Sequence, residues 1–234
     1  MKRVFVMTKN VKRFLAGADN LLKRQEAIPG MMLVFGEPGT GKTRTALWWK
    51  LRNGNEERRI PYVRATRIMS PRALLEQIVY ELGETPAWKT SDILTQVKEH
   101  LLANPRPLIV DEVDYLCRDG VVEVLRDIHD LTDVPVIMIG MAEADKKLMR
   151  FRHLYDRISV IVPFQLLDAD DIRQLARELC EVEFDDTAIA WIREHSGGKL
   201  RKVATLFYKA ERLARGSKLA QVTAEHLLKG VRHA

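Results

Sequence analysis

A three-layer α/β sandwich around a mainly parallel sheet, followed by a small all-helical subdomain, is the fold that this 234-residue sequence predicts. Three observations predict it. Apolar strand-like runs alternate with helical patterns in the first two thirds of the chain, which is the order expected of a parallel sheet covered by helices. The stretch Gly36-Glu37-Pro38-Gly39-Thr40-Gly41-Lys42-Thr43 stands between one such run and a helix. From about residue 165 onward only helical patterns follow. The expected division is therefore 1–164 for the sheet part and 165–234 for the helical part.

In residues 10–27, Val11, Phe14, Leu15, Ala18, Leu21 and Leu22 fall at helical spacing, with Lys12, Arg13, Lys23 and Arg24 on other faces. This is a basic amphipathic helix. Met31 to Phe35 is an apolar run that reads as a buried strand, and residues 43–51 continue as a helix. The polar stretch 52–59 is a loop or hairpin tip before a short strand over 60–65. Ser70 and Pro71 open a helix that Gly83 closes, because a serine cap and a first-turn proline are start signals. A helix over 91–103 leads to the strand Pro107-Leu108-Ile109-Val110, which ends in Asp111 and Glu112. A helix over 120–131 and the apolar run 135–140 complete the sheet part. Four helices follow, over 168–181, 185–195, 200–214 and 223–231, each with an acidic or hydroxyl start signal or an amphipathic pattern. Trp48, Trp49 and Trp191 are expected in the core, and Trp88 either packs against a groove or, the preferred reading, anchors its loop.

The eight residues 36–43 read G-x-x-x-x-G-K-T, and the flanking strand and helix supply the context that makes this spacing a phosphate-binding loop. Gly36, Gly39 and Gly41 allow backbone conformations closed to other residues, so that successive N–H groups converge on a phosphate at a helix N-terminus. Lys42 is placed for the β- and γ-phosphates and the Thr43 hydroxyl for Mg²⁺. Asp111 at the end of its strand supplies the second metal-side group, and Glu112 beside it is placed to orient and polarise a water. The separation 111 − 42 = 69 leaves room for one or two strand–helix units between the motifs. A nucleoside triphosphate and Mg²⁺ are the expected ligands, and the acidic pair implies hydrolysis in addition to binding.

A hydrophobic content of 46% can fill a sizeable core. No apolar run is long enough to span a membrane, and Lys9, Lys12 and Arg13 follow the short apolar start too closely for a signal peptide. Cys117 and Cys180 lack C-x-x-C spacing and the six histidines are scattered. These features make cytoplasm the expected compartment, with no membrane partner, and make a structural metal site unexpected. The excess of 38 basic over 32 acidic residues gives a net charge of +6. That balance fits either a polyanionic partner or solvated helix faces.

Along nearly its whole length the order of these parts resembles an AAA+ ATPase: a phosphate loop, an Asp-Glu strand, a third strand, an arginine-rich segment, then a helical lid with Gly197-Gly198-Lys199-Leu200-Arg201. Within that superfamily Ser70-Pro71-Arg72-Ala73-Leu74-Leu75 and Trp88-Lys89-Thr90-Ser91-Asp92-Ile93 resemble the transposition regulators of the MuB, TnsC and TniB type. The resemblance implies that Arg201 is a sensor of the γ-phosphate. It also implies that Arg157 is a finger offered to a neighbouring subunit, with Arg150 and Arg152 as competitors. It implies sequence-tolerant contacts to double-stranded DNA from Arg67, Arg72, Lys89 and Thr90, and homo-oligomers in the form of a helical filament or a ring.

On this resemblance the chain is expected to be an ATP-dependent DNA-binding ATPase that delivers target DNA to a transposase. The alternatives are a replication initiator or helicase loader, which would share every nucleotide motif, and a nucleotide-gated protein-interaction switch that does not bind DNA. The third strand departs from the superfamily pattern, because Ile139 is followed by Gly140 and Met141 where a polar residue helps to place the attacking water. Intrinsic hydrolysis is therefore expected to be slow. A steady-state phosphate-release assay on the purified chain checks this, and turnover of many molecules per second without a partner would contradict it.

Overall fold

The computed structural model describes residues 1–2, 4–25, 27–54, 59–118 and 120–230. Contacts group them into two units. Arg13–Gly36 and Lys42–Pro163 form one; Met1–Lys12, Glu37–Gly41 and the chain from Phe164 onward form the other.

The first unit is built on five strands: β1 (Met31–Gly36), β2 (Tyr62–Arg64), β3 (Leu108–Asp111), β4 (Val136–Gly140) and β5 (Ile158–Phe164). Their order across the sheet is β2-β3-β4-β1-β5. β1 with β4, β4 with β3 and β3 with β2 are parallel ladders, in which Met31 and Leu108 both face Val136, and Tyr62 faces Ile109. The apolar runs of β1, β3 and β4 are unbroken because helices cover both sheet faces, so neither face takes polar residues. The helices met along the chain are α1 (Lys9–Leu22), α2 (Lys42–Asn53), α3 (Pro71–Leu82), α4 (Thr90–Ala103), α5 (Glu123–Thr132), α6 (Ala144–Leu148) and α7 (Arg152–Tyr155). The Ser70 hydroxyl accepts from the Ala73 N–H at 3.1 Å, and Gly83 closes α3 in the left-handed region with φ 90°. Both ends of α3 thus form where the cap residues place them.

Four expectations are corrected. α1 ends at Leu22, five residues early, because Leu21 is its last core-facing residue and polar Lys23, Arg24 and Gln25 follow. β5 is a strand the pattern did not mark: its burial alternates along its length and Pro163 removes a ladder donor, which an edge strand tolerates. Trp49 is core, edge-on to Phe14 at 6.1 Å between ring centres, but Trp48 is only half-buried beneath the Arg52 guanidinium, 4.9 Å from its ring. Trp88 does not anchor its loop: it is 90% exposed, because the backbone of that loop is already fixed by other groups. Of the polar tip 52–59, residues 55–58 lie outside the described residues.

The second unit holds α8 (Ala169–Leu179), α9 (Asp186–Ser196), α10 (Leu200–Ser217) and α11 (Ala224–Gly230). The carboxylates of Asp168 and Asp185 cap α8 and α9, accepting from Asp171 N at 2.9 Å and Ala188 N at 2.8 Å. Ile172, Leu175, Ile189, Ile192, Val203, Phe207 and Leu227 form its core. The expectation of helices alone is corrected by two short parallel strands, β6 (Glu183–Phe184) and β7 (Gln221–Val222). At two residues each they are too short to leave a periodic signal. The start of the chain belongs here too: Lys9 N–H donates to Asp171 Oδ1 at 3.1 Å, and the Asn10 amide exchanges two hydrogen bonds with the Gln165 backbone at 2.7 and 3.0 Å. Among the described residues no helix is long and apolar enough to cross a membrane.

Leu33 lies fully buried in β1, with β4 on one side and β5 on the other. Leu33→Ala is expected to lower unfolding stability by about 2–5 kcal/mol, read by urea denaturation.

Candidate nucleotide site

β1 carries Gly36 to its carboxyl end, and α2 starts at Lys42, whose Nζ donates to the Gly36 carbonyl at 2.7 Å. One turn of chemistry further on, the Thr43 hydroxyl donates to Asp111 Oδ2 at 2.7 Å. Asp111 ends β3 and is 2% exposed. Its other oxygen accepts from the Glu112 N–H at 2.8 Å, and the Tyr62 hydroxyl donates to Oδ2 at 2.7 Å. Burial first, and then this hydrogen bond, push the Tyr62 phenol well above its ordinary range, so it acts here as a donor.

Glu112 follows in the left-handed region at φ 57°, a conformation that costs a non-glycine residue about 1–3 kcal/mol and turns the chain sharply out of β3. Its Oε1 lies 3.4 Å from Arg64 Nη2. Arg64 faces Asp111 across the β2–β3 ladder, and Tyr62 lies two residues before it on the same face of β2. The sequence reading missed both residues. Their signal was present as the polar-tipped alternation Tyr62-Val63-Arg64, but only the ladder register shows which partner each one meets.

At the end of β4 the missing polar side chain has a steric cause. A Cβ on Gly140 would lie 2.3 Å from Ala144 Cβ and 2.8 Å from Asp114 Oδ2, so no larger residue fits. Asp114 occupies that space instead, accepting from the Met141 N–H at 2.6 Å and pairing with Lys147 at 3.3 Å.

Arg157 forms a two-pronged pair with Asp130, at 3.0 and 3.1 Å. Its carbonyl accepts from the Met31 N–H at the start of β1, whereas the phosphate loop begins at the end of that strand. Five strand steps separate the two ends, about 16 Å at the usual rise. Arg157 therefore stands at the opposite end of β1 from Gly36. Arg150 and Arg152 are exposed.

The loop residues Glu37 to Gly41 belong to the second unit. The Thr40 hydroxyl donates to the Glu37 carbonyl at 2.9 Å, and Gly39 and Gly41 take φ values of 83° and 102° that side-chain-bearing residues rarely adopt. The first turn of α10 sits on this segment: Arg201 N–H donates to the Gly39 carbonyl at 3.1 Å, and Lys199 pairs with Glu37 at 3.8 Å. A Cβ on Gly41 would lie 2.8 Å from Leu200 Cδ2. The Arg201 side chain is exposed.

These donors fit a nucleoside triphosphate with its metal. Within the sheet unit Lys42 could offer a cation to a phosphate, and Thr43 with Asp111 makes a hydroxyl–carboxylate pair that could hold a hard divalent ion. A bound Mg²⁺ would neutralise phosphate charge there. The residues expected at DNA lie elsewhere in the sheet unit. Arg67 is exposed in the loop after β2, Lys89 caps α4 and Thr90 opens it. Arg72 pairs with Glu76 at 2.7 Å and donates to the Trp88 carbonyl at 2.6 Å.

A parallel α/β sheet with this loop and this strand-end acid defines a P-loop nucleotide-binding protein. The chain belongs to the AAA domain family, whose model matches residues 27–148, just over half of it. It is 25% identical over 264 residues to a potential ATP-binding protein of Staphylococcus aureus, covering 94% of this chain and 93% of that protein. It is 31% identical over 147 residues to origin recognition complex subunit 1 of Drosophila melanogaster, covering 57% of this chain but only 15% of that protein. Among solved structures it is similar to the Aeropyrum pernix ORC1 protein in complex with DNA, at TM-score 0.68 and 18% identity, over 99% of this chain and 66% of that one. The AAA+ resemblance and the three-layer fold stand. Two of these three relatives are origin-recognition proteins, where the sequence alone pointed to transposition regulators.

The contact between Arg64 and Glu112 is an exposed ion pair worth about 0.2–1 kcal/mol. If it restrains the carboxylate, Arg64→Ala should raise basal ATP hydrolysis by no more than about fivefold without changing nucleotide affinity. Phosphate release and nucleotide titration on the same preparation test this, and a fall in rate would show that Arg64 positions Glu112 for catalysis instead.

Proposed function

We propose that this chain is an ATP-hydrolysing switch that assembles on double-stranded DNA and, in the manner of a replication initiator or helicase loader, hands that DNA to a partner machine. One observation carries the reading. Glu112 stands beside the metal-side carboxylate and is paired with Arg64, and the strand bearing Arg64 runs directly into the exposed loop of Arg67. Nucleotide chemistry and a basic surface are thus joined by one short strand. The initiator type is preferred because an origin recognition subunit is among the relatives by sequence and an ORC1 protein bound to DNA is among those by structure.

In this proposal the loop amides and Lys42 hold the phosphates, and Thr43 and Asp111 hold Mg²⁺. Glu112 Oε1 takes the proton of the attacking water once Arg64 lets it go. Arg201, at the start of α10, senses the γ-phosphate. Arg157, at the other end of β1 from Gly36, completes a neighbouring subunit's site, so hydrolysis depends on assembly into a filament or ring. Arg67, Lys89 and Thr90 contact the DNA backbone without reading bases. The cytoplasm is the proposed compartment.

A second reading keeps the transposase as the partner. It is supported by the Arg72–Trp88 link, which joins the two sequence blocks that resemble transposition regulators into one surface.

The test is electron microscopy and binding of the purified chain on an arbitrary duplex with ATP, ADP or a non-hydrolysable analogue. ATP-dependent assemblies are expected, lost in Lys42→Ala and persistent in Glu112→Gln. Lys89→Ala is expected to reduce the slope of log affinity against log salt by about 1. Co-sedimentation with a replicative helicase or with a transposase separates the two readings. No association with DNA in any nucleotide state would leave a switch directed at proteins.

A further inference from the structure

Two large apolar side chains in the sheet unit stand out from the rest: Ile68 and Trp88 are each 90% exposed. Single exposed apolar residues are ordinary, but two side chains this bare on loops that one hydrogen bond ties together are not.

Their loops are firmly built. Met69, next to Ile68, is buried in the core, and its carbonyl accepts from the Arg118 guanidinium. Ala87, next to Trp88, packs on the same core, and its N–H donates to Gln96 Oε1 at 3.2 Å. The amide of Gln96 also holds the Thr85 carbonyl at 3.0 Å and Glu84 at 2.8 Å. The Arg72 guanidinium, from the first turn of α3, reaches across to the Trp88 carbonyl at 2.6 Å and ties one loop to the other. The backbone is thus pinned on the core side of each tip while the tip itself faces solvent.

The flanking charges fit an anionic partner. Arg67 immediately precedes Ile68 and Lys89 immediately follows Trp88, and both are exposed. Arg72, by contrast, is neutralised by Glu76 and occupied by the Trp88 carbonyl, which makes it a strut between loops instead of a phosphate contact. An apolar tip beside a cation, repeated on two adjoining loops, is the arrangement that inserts between base steps while the cations hold the flanking phosphates. A site for single strands would need a basic groove with successive aromatic platforms, whereas here one aromatic tip is paired with an aliphatic one.

We propose that Ile68 and Trp88 form a two-tipped apolar wedge that enters the base stack of a DNA duplex and bends it, with Arg67 and Lys89 on the phosphates to either side. This rests on the reading of the chain as a duplex-binding protein. The wedge makes binding sequence-tolerant but sensitive to how readily a step unstacks, so flexible pyrimidine–purine steps are favoured over stiff A-tracts.

The experiment uses the full chain with ATP and a 30-base-pair duplex, about three helical turns, carrying end dyes for distance and one 2-aminopurine for unstacking. Wild type is expected to shorten the end-to-end distance and raise 2-aminopurine emission. The Ile68→Ala/Trp88→Ala variant is expected to lose both signals and to bind about tenfold or more weakly, with its melting temperature and DNA-free ATP hydrolysis unchanged. Lys89→Ala is expected to weaken binding but to bend DNA at saturation. Wild-type binding without bending, or a double variant that bends as wild type does, overturns the wedge while leaving duplex binding intact. Tighter binding to a single strand than to the duplex, lost with Trp88, also overturns it. So does a loss of self-association in the double variant without DNA, which would make a second copy the occupant. No DNA binding at all removes the wedge together with the functional reading beneath it.

Discussion

A carboxylate withdrawn from water is tolerable only where donors replace the lost solvent, and Asp111 receives them from three segments: the Thr43 hydroxyl of α2, the Tyr62 hydroxyl of β2 and the Glu112 amide just beyond β3. That requirement fixes where the start of α2 and the start of β2 stand relative to the end of β3. The arrangement propagates outward. Glu81 accepts from the Tyr62 N–H at 3.1 Å and pairs with Lys50 at 3.1 Å, while the Lys50 ammonium lies 5.7 Å from the centre of the Tyr62 ring. α2, α3 and β2 are therefore held by one polar network whose centre is a single acid. Removing any one donor leaves part of a buried charge unsatisfied, a penalty of about 1–3 kcal/mol that exceeds the net worth of an ordinary hydrogen bond.

The neighbouring glutamate lives under the opposite regime. Glu112 is partly exposed, held by one long contact to a solvent-facing arginine, and set on a strained backbone. A firmly hydrogen-bonded acid thus stands beside a loosely restrained one. The same contrast appears in the arginines. Arg201 is seated by its own backbone on the Gly39 carbonyl with its side chain exposed, whereas the Arg157 guanidinium is locked to Asp130.

How much of this was legible in the sequence follows from the range of each interaction. The phosphate loop, the three buried strands and both ends of α3 are written in adjacent residues, through glycine conformations, unbroken apolar runs and caps. The contacts of Tyr62 and Arg64 depend on which strand lies beside β2 and in which register, and a three-residue strand carries no such information. The glycine at 140 read as a missing catalytic group, but the packing of Ala144 and Asp114 makes it a steric necessity. β5 escaped notice because its burial alternates and a proline interrupts it. The reading of Trp88 as an anchor failed because tryptophan is usually buried, and nothing local announces that Arg72, Met69 and Ala87 already secure the loops around it.

The short pair β6 and β7 has a consequence for how the helical unit forms. Phe184 lies beside Val222, and the Asp185 N–H donates to the Val222 carbonyl at 3.1 Å, so α9 and α10 lie inside a closed loop of 222 − 184 = 38 residues. Closing a flexible segment of that length costs about 3 kcal/mol in chain entropy before any contact is made. Two residues of ladder cannot meet that cost alone. The clasp can close only after α9 and α10 have shortened the path between its ends, which makes it a late event of folding and one of the first places where the unit would open.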